Sequence, residues 1–484
     1  MRTTLRFIWG ASWRILAFLL VVGTGLWWMN SASRWDANEV INGADNHVEG
    51  KAGLLVVGLA QPETFDAKFF ENFLDKLFTE TIPWPINVLA GADTGIVLLD
   101  PARPFSTKRF EPTQLADIWG RTSDIDGTPW IEKYRRGQLR WEKPSTTVPF
   151  DPGVFLYPER KQGMRFAAAK TALKARYLYY ARLPNGVLPH YRQTVDMANA
   201  GIALAKDRHP LQAAEFVDAF DKGQKVAAVR RVLDSGIDTL ILASVQPIHS
   251  DFEELQGSFA GIHKIVEQWR KENRGKPIRY AVAPYIASQP AFEKLWLDHF
   301  AATVPQATGP NQSASGIITL HGLPVSLLKS DSWSTRTPKV VARLKPRMEE
   351  ILRAKGYAKV TVQPAQEGFG DGLEDPDNKV VSVSELYAKA RKEGTDLAIA
   401  LPIEFLAENT DTLFAHAAIM FDGLPGYSVY QGPPRDVDWS RPYVRSFTSG
   451  KTVQMYVGAP GPASQGLASE ALAASIGAVF RKTN

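Results

Sequence analysis

Short, unbroken apolar runs recur along this chain, and segments with helical spacing separate them. The first run is Leu54-Leu55-Val56-Val57; others follow at 96–99, 240–242, 280–282, 316–320, 360–362 and 397–401. An apolar run without polar alternation is what a strand shows when a parallel sheet buries both of its faces. Between the runs, residues 226–233, 252–270, 291–300, 340–352 and 383–391 carry apolar side chains three and four positions apart, as one face of a helix requires, and a further helical stretch covers 66–79. Alternation of this kind predicts doubly wound parallel sheets. The runs are too many for one tidy sheet. They predict two α/β domains of similar topology, one over 53–275 and one over 276–484, joined near Asn273–Lys276.

The N-terminal pattern is different. Arg2, Arg6 and Arg14 precede an apolar run over 15–29 that ends in Trp27 and Trp28. Basic residues before an apolar run and aromatic residues after it predict a transmembrane helix within residues 1–30, with the N-terminus inside and the main domains on the exported, periplasmic side. A cleaved signal peptide is the alternative, with Ser31-Ala32-Ser33 as the small residues for cleavage. Either way the bulk of the chain is exported. Residues 31–52 are polar and aperiodic and read as a linker. Residues 101–165, rich in Pro, Trp and charge, read as irregular. A basic helix over 164–180, punctuated by Arg165, Lys170 and Lys174, reads either as a solvated face or as a contact for anionic lipid or ligand carboxylates.

Composition narrows the chemistry. The 484 residues, 44% hydrophobic and 22% charged, suit a globular protein with two cores. A net charge of +5 with no concentrated basic stripe gives no reason to expect a nucleic-acid partner. There is no cysteine. Disulfides, thiolate metal sites, iron–sulfur clusters and cysteine nucleophiles are thereby excluded, and metal chemistry must rest on His, Asp and Glu.

In open α/β sheets ligands bind beyond the carboxyl ends of the strands, so the residues that follow each apolar run are the candidates. His321-Gly322-Leu323-Pro324 follows the run ending at Leu320. His321 is either a structural hydrogen-bonding residue or a site residue. Gln246-Pro247-Ile248-His249-Ser250 follows the run at 240–242 and puts a second His in the corresponding place of the other domain. After Leu401 come Glu404, Glu408, Asn409 and Asp411, with Asn409 placed to cap a helix whose third residue is Thr412. Glu408 and Asp411 read either as complements to that helix dipole or as a carboxylate pair for a cation or proton. The acidic loop over 367–377 lacks the alternating ligand spacing of an EF-hand, and no calcium site is expected there.

Together these positions resemble the ferrochelatase family, two-domain enzymes that insert a divalent metal into a porphyrin. The segment Ile318-Thr319-Leu320-His321-Gly322-Leu323-Pro324-Val325 is similar to the family's strand ending in His-Gly-Leu-Pro. Leu401 to Leu406, running into Asn409-Thr410-Asp411-Thr412-Leu413, is similar to its strand and Ser-Asp-His-Ile-Glu-Thr-Leu. Gln366 to Gly370 and Pro376 match its Gln-Ser-Arg-Phe-Gly stretch loosely. Gln246 to Ser250 fall at its Tyr-Pro-Gln-Tyr-Ser strand end and look like the Gln-Ser-Leu-His of anaerobic cobaltochelatases.

The resemblance implies a tetrapyrrole in the interdomain cleft and Fe2+ or Co2+ as a substrate, with no tightly bound cofactor. It implies His321 and Asp411 as catalytic residues and His321, Asp411, Glu404 and Glu408 around the metal. Gln246, His249, Ser250 and Gly322 would contact the substrate. The family's second His is Asn409 here, and its Glu is the shorter Asp411. Those departures keep open a non-catalytic haem- or tetrapyrrole-binding protein, or a scaffold subunit with a partner in a membrane complex.

Overall fold

The structure, a computed structural model, describes residues 20, 22–24, 47–66, 69–70, 73, 96–97, 128–142, 154–156, 176, 179–180, 182–323, 328, 331–367, 377, 379–421, 424–427, 433–434 and 436–480. In chain order its elements are β1 (Ala52–Gly58), β2 (Ile96–Val97), α1 (Trp130–Arg135), β3 (Arg140–Glu142), β4 (Val154–Leu156), α2 (His190–Arg208), β5 (Leu211–Asp218), α3 (Lys222–Asp234) and β6 (Thr239–Ser244). A π-helical stretch, Asp251–Phe259, then leads into α4 (Ala260–Glu272), followed by β7 (Arg279–Val282), α5 (Pro290–Thr303), β8 (Ser313–Leu320), α6 (Trp333–Ala354) and β9 (Lys359–Gln366). The remainder is α7 (Val383–Glu393), β10 (Leu397–Pro402), a π-helical turn at Asp411–Ala415 leading into α8 (His416–Phe421), β11 (Arg445–Ser449), β12 (Thr452–Tyr456) and α9 (Gln465–Ala478).

Two sheets carry the fold. The first has the order β5-β1-β6-β7, all parallel; the second has the order β11-β12-β10-β8-β9, parallel except for the edge strand β11. Counting only the parallel strands, both halves are wound in the order second, first, third, fourth. That is the doubly wound pattern in which adjacent strands are joined by right-handed helical crossovers. The central strands β1, β6 and β10 are buried along their whole length, as their unbroken apolar runs require. Leu54, Leu55 and Val56 are fully buried, each contributing about 2 kcal/mol of apolar burial.

The layers follow from which side chains point which way. Leu55, Val57, Leu240 and Leu242 face α3 and α4 on the outer side of the first sheet. Ile317, Ala398 and Ala400 face α7 and α8 on the outer side of the second. Between the sheets, one continuous core takes Leu54 and Val56, Ile318 and Leu320, and the buried faces of α2, α5, α6 and α9. Helix α6 buries Trp333, Thr337, Val340, Leu344, Met348 and Leu352, a helix-period stripe that tolerates Pro338 and Pro346 in its interior.

Three sequence expectations change. β7 is hydrogen-bonded to β6, so the first sheet runs to Val282 and a boundary at 275/276 falls inside the first half. Arg274 and Gly275, with φ of 57° and 74°, end α4 in a left-handed turn and join no domains. Helix α9 returns to pack on α2 and α5 of the first half, because its Ala, Ser and Gly residues allow close approach; a Cβ on Gly201 of α2 would lie 2.7 Å from Leu472. The run at 96–99 contributes Ile96–Val97 to a small antiparallel sheet with β4 and β3, not to a parallel one. Of the anchor over residues 1–30, only 20 and 22–24 are described; no helix among the described residues is long and apolar enough to cross a membrane. Most of the linker and of the basic helix over 164–180 also falls outside them.

Candidate functional site

The carboxyl ends of β8, β9 and β10 open on the same edge of the second sheet; His321 directly follows β8, Glu367 directly follows β9, and Glu404 lies two residues beyond β10. The turn that His321 begins needs Gly322, whose φ is 79° and where a Cβ would lie 2.8 Å from the Gln366 side chain. The His321 backbone N–H donates to Glu404 Oε2 at 3.2 Å, and Glu404 Oε1 accepts from Trp333 Nε1 at 3.0 Å. The buried Glu404 carboxylate thus holds the His321 turn and the start of α6.

His321 faces His416 edge to face, with ring centroids 6.1 Å apart and an interplanar angle of 82°. Phe405 packs against both imidazoles, at 5.4 Å and 5.5 Å. His416 Nδ1 is ion-paired with Glu367, the residue directly after β9, and both side chains are buried. Burial alone would lower the His416 pKa, but Glu367 and Asp411 outweigh it and hold the imidazole above its ordinary value. Asp411 lies on the π-helical turn that leads to His416. Its carboxylate accepts from Arg176 Nη1 at 2.7 Å, and the same guanidinium nitrogen donates to Thr410 Oγ1 at 2.6 Å. Burial pushes the Asp411 pKa up, yet Arg176, His416 and His321 together bring it below the ordinary carboxylate value. Arg176 is fixed in turn by Tyr179, which stacks on Phe414 at 4.9 Å. Two imidazoles, two carboxylates and one guanidinium therefore share one edge.

The other sequence candidates separate from this group. Glu408 is held by neighbours of its own: Oε2 accepts from Thr412 Oγ1 at 2.7 Å and Oε1 from the Ala459 N–H at 3.0 Å, and a Cβ on Gly458 would overlap it. Its enclosure pushes its pKa up to about 7. Glu404 is spent on His321 and Trp333. Asn409 caps the turn, Oδ1 accepting from the N–H groups of Asp411 at 2.8 Å and Thr412 at 2.9 Å. His249 lies beyond β6, where burial and Arg336 push its pKa down to about 3 and Phe259 and Tyr285 flank the ring. Gln246 donates its N–H to Ser244 Oγ at 3.0 Å, and Ser250 is buried.

Besides Arg176, two polar links bring the first half up to this edge. Gln61, just past β1, accepts from the Thr410 N–H at 3.0 Å, and Gln193 of α2 accepts from the Glu408 N–H at 3.0 Å. Farther along, Asp331 accepts from the N–H groups of Asp251 and Phe252 at 2.9 and 3.0 Å, while Asp251 accepts from the Ser332 N–H at 2.8 Å. The helices that begin there, one in each half, cap one another.

His416, Glu367 and Arg176 are the site residues that sequence reading missed. His416 lies seven residues after Asn409 and opens α8, directly after the π-helical turn Asp411–Ala415. Glu367 follows β9 as His321 follows β8, which strand-end reading alone identifies. Among the described residues, no three His, Asp or Glu side chains are gathered as a ligand set for a metal ion.

No family model matches the chain, and no curated protein matches it. Among solved structures it is similar to SirB from Bacillus subtilis with Fe3+, at 10% identity and a TM-score of 0.33, over 59% of this chain and 90% of that one. It is also similar to DR2241 from Deinococcus radiodurans, a multi-domain protein with structural similarity to chelatases and two additional novel domains. That match has 13% identity and a TM-score of 0.28, over 61% of this chain and 52% of that one.

Proposed function

We propose that this protein is a tetrapyrrole chelatase of the ferrochelatase type, inserting Fe2+ or Co2+ into a porphyrin held where the two halves meet. The observation that carries the reading is the facing pair His321 and His416, flanked by the carboxylates of Glu367 and Asp411. Insertion exchanges two pyrrole N–H protons for one divalent cation, so a site for it needs bases for protons and negative charge for the cation. An imidazole takes up and releases protons near neutrality. His321 accepts a pyrrole proton; His416, held by Glu367, is the second imidazole of the relay. Asp411, kept ionised by Arg176, draws the cation to the same edge. The macrocycle itself brings four nitrogen donors, so the protein has to present only one or two groups to the metal in transit. Without thiolates, a borderline divalent metal suits these N and O groups. The proposal includes attachment to a membrane through residues 1–30, with the two halves on the exported side; a reporter active only in the cytoplasm, fused after Asn484, should stay silent.

The test is anaerobic incubation of the protein with protoporphyrin and Fe(II) or Co(II), followed by absorbance and by loss of free-base fluorescence. The metalloporphyrin spectrum is expected. Porphyrin binding without insertion of any divalent metal would overturn the enzyme reading and leave a tetrapyrrole-binding protein.

A further inference from the structure

The π-helical turn at Asp411–Ala415 leaves a backbone carbonyl without its helical partner, and one buried side chain outside the turn takes it. In an α-helix the His416 N–H would bond the Thr412 carbonyl, four residues back. Here it reaches one residue farther, to the Asp411 carbonyl, and the extra residue widens the turn. The Thr412 carbonyl accepts from Arg445 Nη2 instead, and the Leu413 carbonyl accepts from Nη1 of the same guanidinium at 2.7 Å. The planar fork of an arginine serves two adjacent carbonyls at once, whereas an ammonium presents a single nitrogen.

Arg445 is well fixed for this task. It stands on the edge strand β11, opposite Tyr456 of β12, and it is buried. Its guanidinium lies over the rings of Tyr456 and Tyr443, at 4.8 and 5.5 Å from their centroids. Glu408, which feels the Arg445 charge, takes the Thr412 hydroxyl, so the turn is gripped by backbone and side chain alike. What the widened turn changes is an angle. At about 100° per residue, five residues of α-helix would set Asp411 and His416 roughly 140° apart. In the wider turn both reach His321: His416 faces its ring, and Asp411 feels the charge of both imidazoles.

We propose that Arg445 is a positioning residue: by bonding the carbonyls of Thr412 and Leu413 it holds the π-helical turn, and so keeps Asp411 and His416 directed together at His321. This deepens the chelatase reading and rests on it for the effect on insertion. The experiment follows steady-state metal insertion by the full chain as wild type, Arg445→Met, Arg445→Lys, His416→Ala and Arg445→Met combined with His416→Ala, with crystal structures of the two single Arg445 variants. Arg445→Met should lower kcat at least about tenfold while KM for porphyrin stays within about twofold. Arg445→Lys, with one nitrogen for two carbonyls, should lower kcat about threefold or more. The combined variant should lose less than the product of the two single losses, because Arg445 acts partly through His416; a purely structural anchor would give losses that multiply. In the crystals the turn should relax toward α-helical bonding, with His416 swung away from His321. Wild-type kcat in either Arg445 variant, a change in KM alone, multiplying losses or an unaltered turn overturns the inference. If Arg445→Met does not fold, Arg445→Lys decides by its kcat and its turn. If the wild type inserts no metal, the chelatase reading falls and the turn in the crystals alone decides this one.

Discussion

The two halves share one topology and use their carboxyl edges differently. In the first half, the residues at or beyond the strand ends are Gln61, Asp218 and His249. Gln61 is bonded to the second half, and Asp218 accepts from the backbone of its own loop at Phe220, burial pushing it up to about 6. His249 is enclosed by aromatic rings and pushed down to about 3 by burial and Arg336. In the second half, the corresponding positions carry His321, Glu367 and the Glu404–His416 segment, whose titratable groups face one another. The same frame therefore serves as a brace on one side and gathers facing titratable groups on the other. Position in a doubly wound sheet nominates a residue for chemistry; its partners decide whether it is free to perform it.

Substitutions along the brace and the edge sharpen this contrast. The largest stability effect is expected for Asp331→Ala, which strips caps from both halves at once: the Asp251, Phe252 and Trp333 N–H groups lose their acceptor. The cost should be about 3 kcal/mol by urea unfolding, and a loss below experimental error would show that the halves are braced elsewhere. Glu408→Gln probes the joint by pH. Glu408 is raised from its ordinary value of 4.5 to about 7 by burial. A raised folded pKa gives a contribution that is complete below the unfolded pKa and is lost as pH rises through the folded one. The wild type should therefore lose stability relative to Glu408→Gln between about pH 4.5 and pH 7, by about 2 kcal/mol. Parallel stability curves would show that Glu408 does not titrate there. Gly322→Ala should cost about 1–2 kcal/mol, from its φ of 79° and the contact with Gln366, and should displace His321 enough to slow insertion. Arg208→Ala, which breaks an exposed pair with Glu470 between α2 and α9, should leave the urea midpoint where it was, because solvent screens it.

How much of this was legible beforehand differs between the two halves. The buried strands announced themselves through unbroken apolar runs, and every such run that is described, apart from 96–99, lies in a parallel sheet. Strand β5 did not, because it sits at an edge and is only partly buried, so its apolar residues follow no clean rule. Helix α9 escaped because Ala, Ser and Gly fill its buried face, giving no amphipathic stripe. At the site, His321 and Asp411 were legible from their place after β8 and β10. Glu408 and Glu404 were read as ligands, and nothing in the sequence shows that Thr412, Ala459, Trp333 and a backbone N–H already bond their oxygens. His416 was hidden by register: a single π-helical turn separates it from Asp411, and only the folded chain shows which side chains that turn presents together.

The proposed function assigns proton and metal chemistry to the second half's edge and not to its counterpart. Anaerobic insertion rates for His321→Ala and His249→Ala, measured beside the wild type with porphyrin binding as the control, test it most directly. His321→Ala should lose at least about 100-fold in rate with binding nearly unchanged, and His249→Ala should stay within a few-fold of the wild type. Full activity in His321→Ala, or the larger loss falling on His249→Ala, would contradict the account.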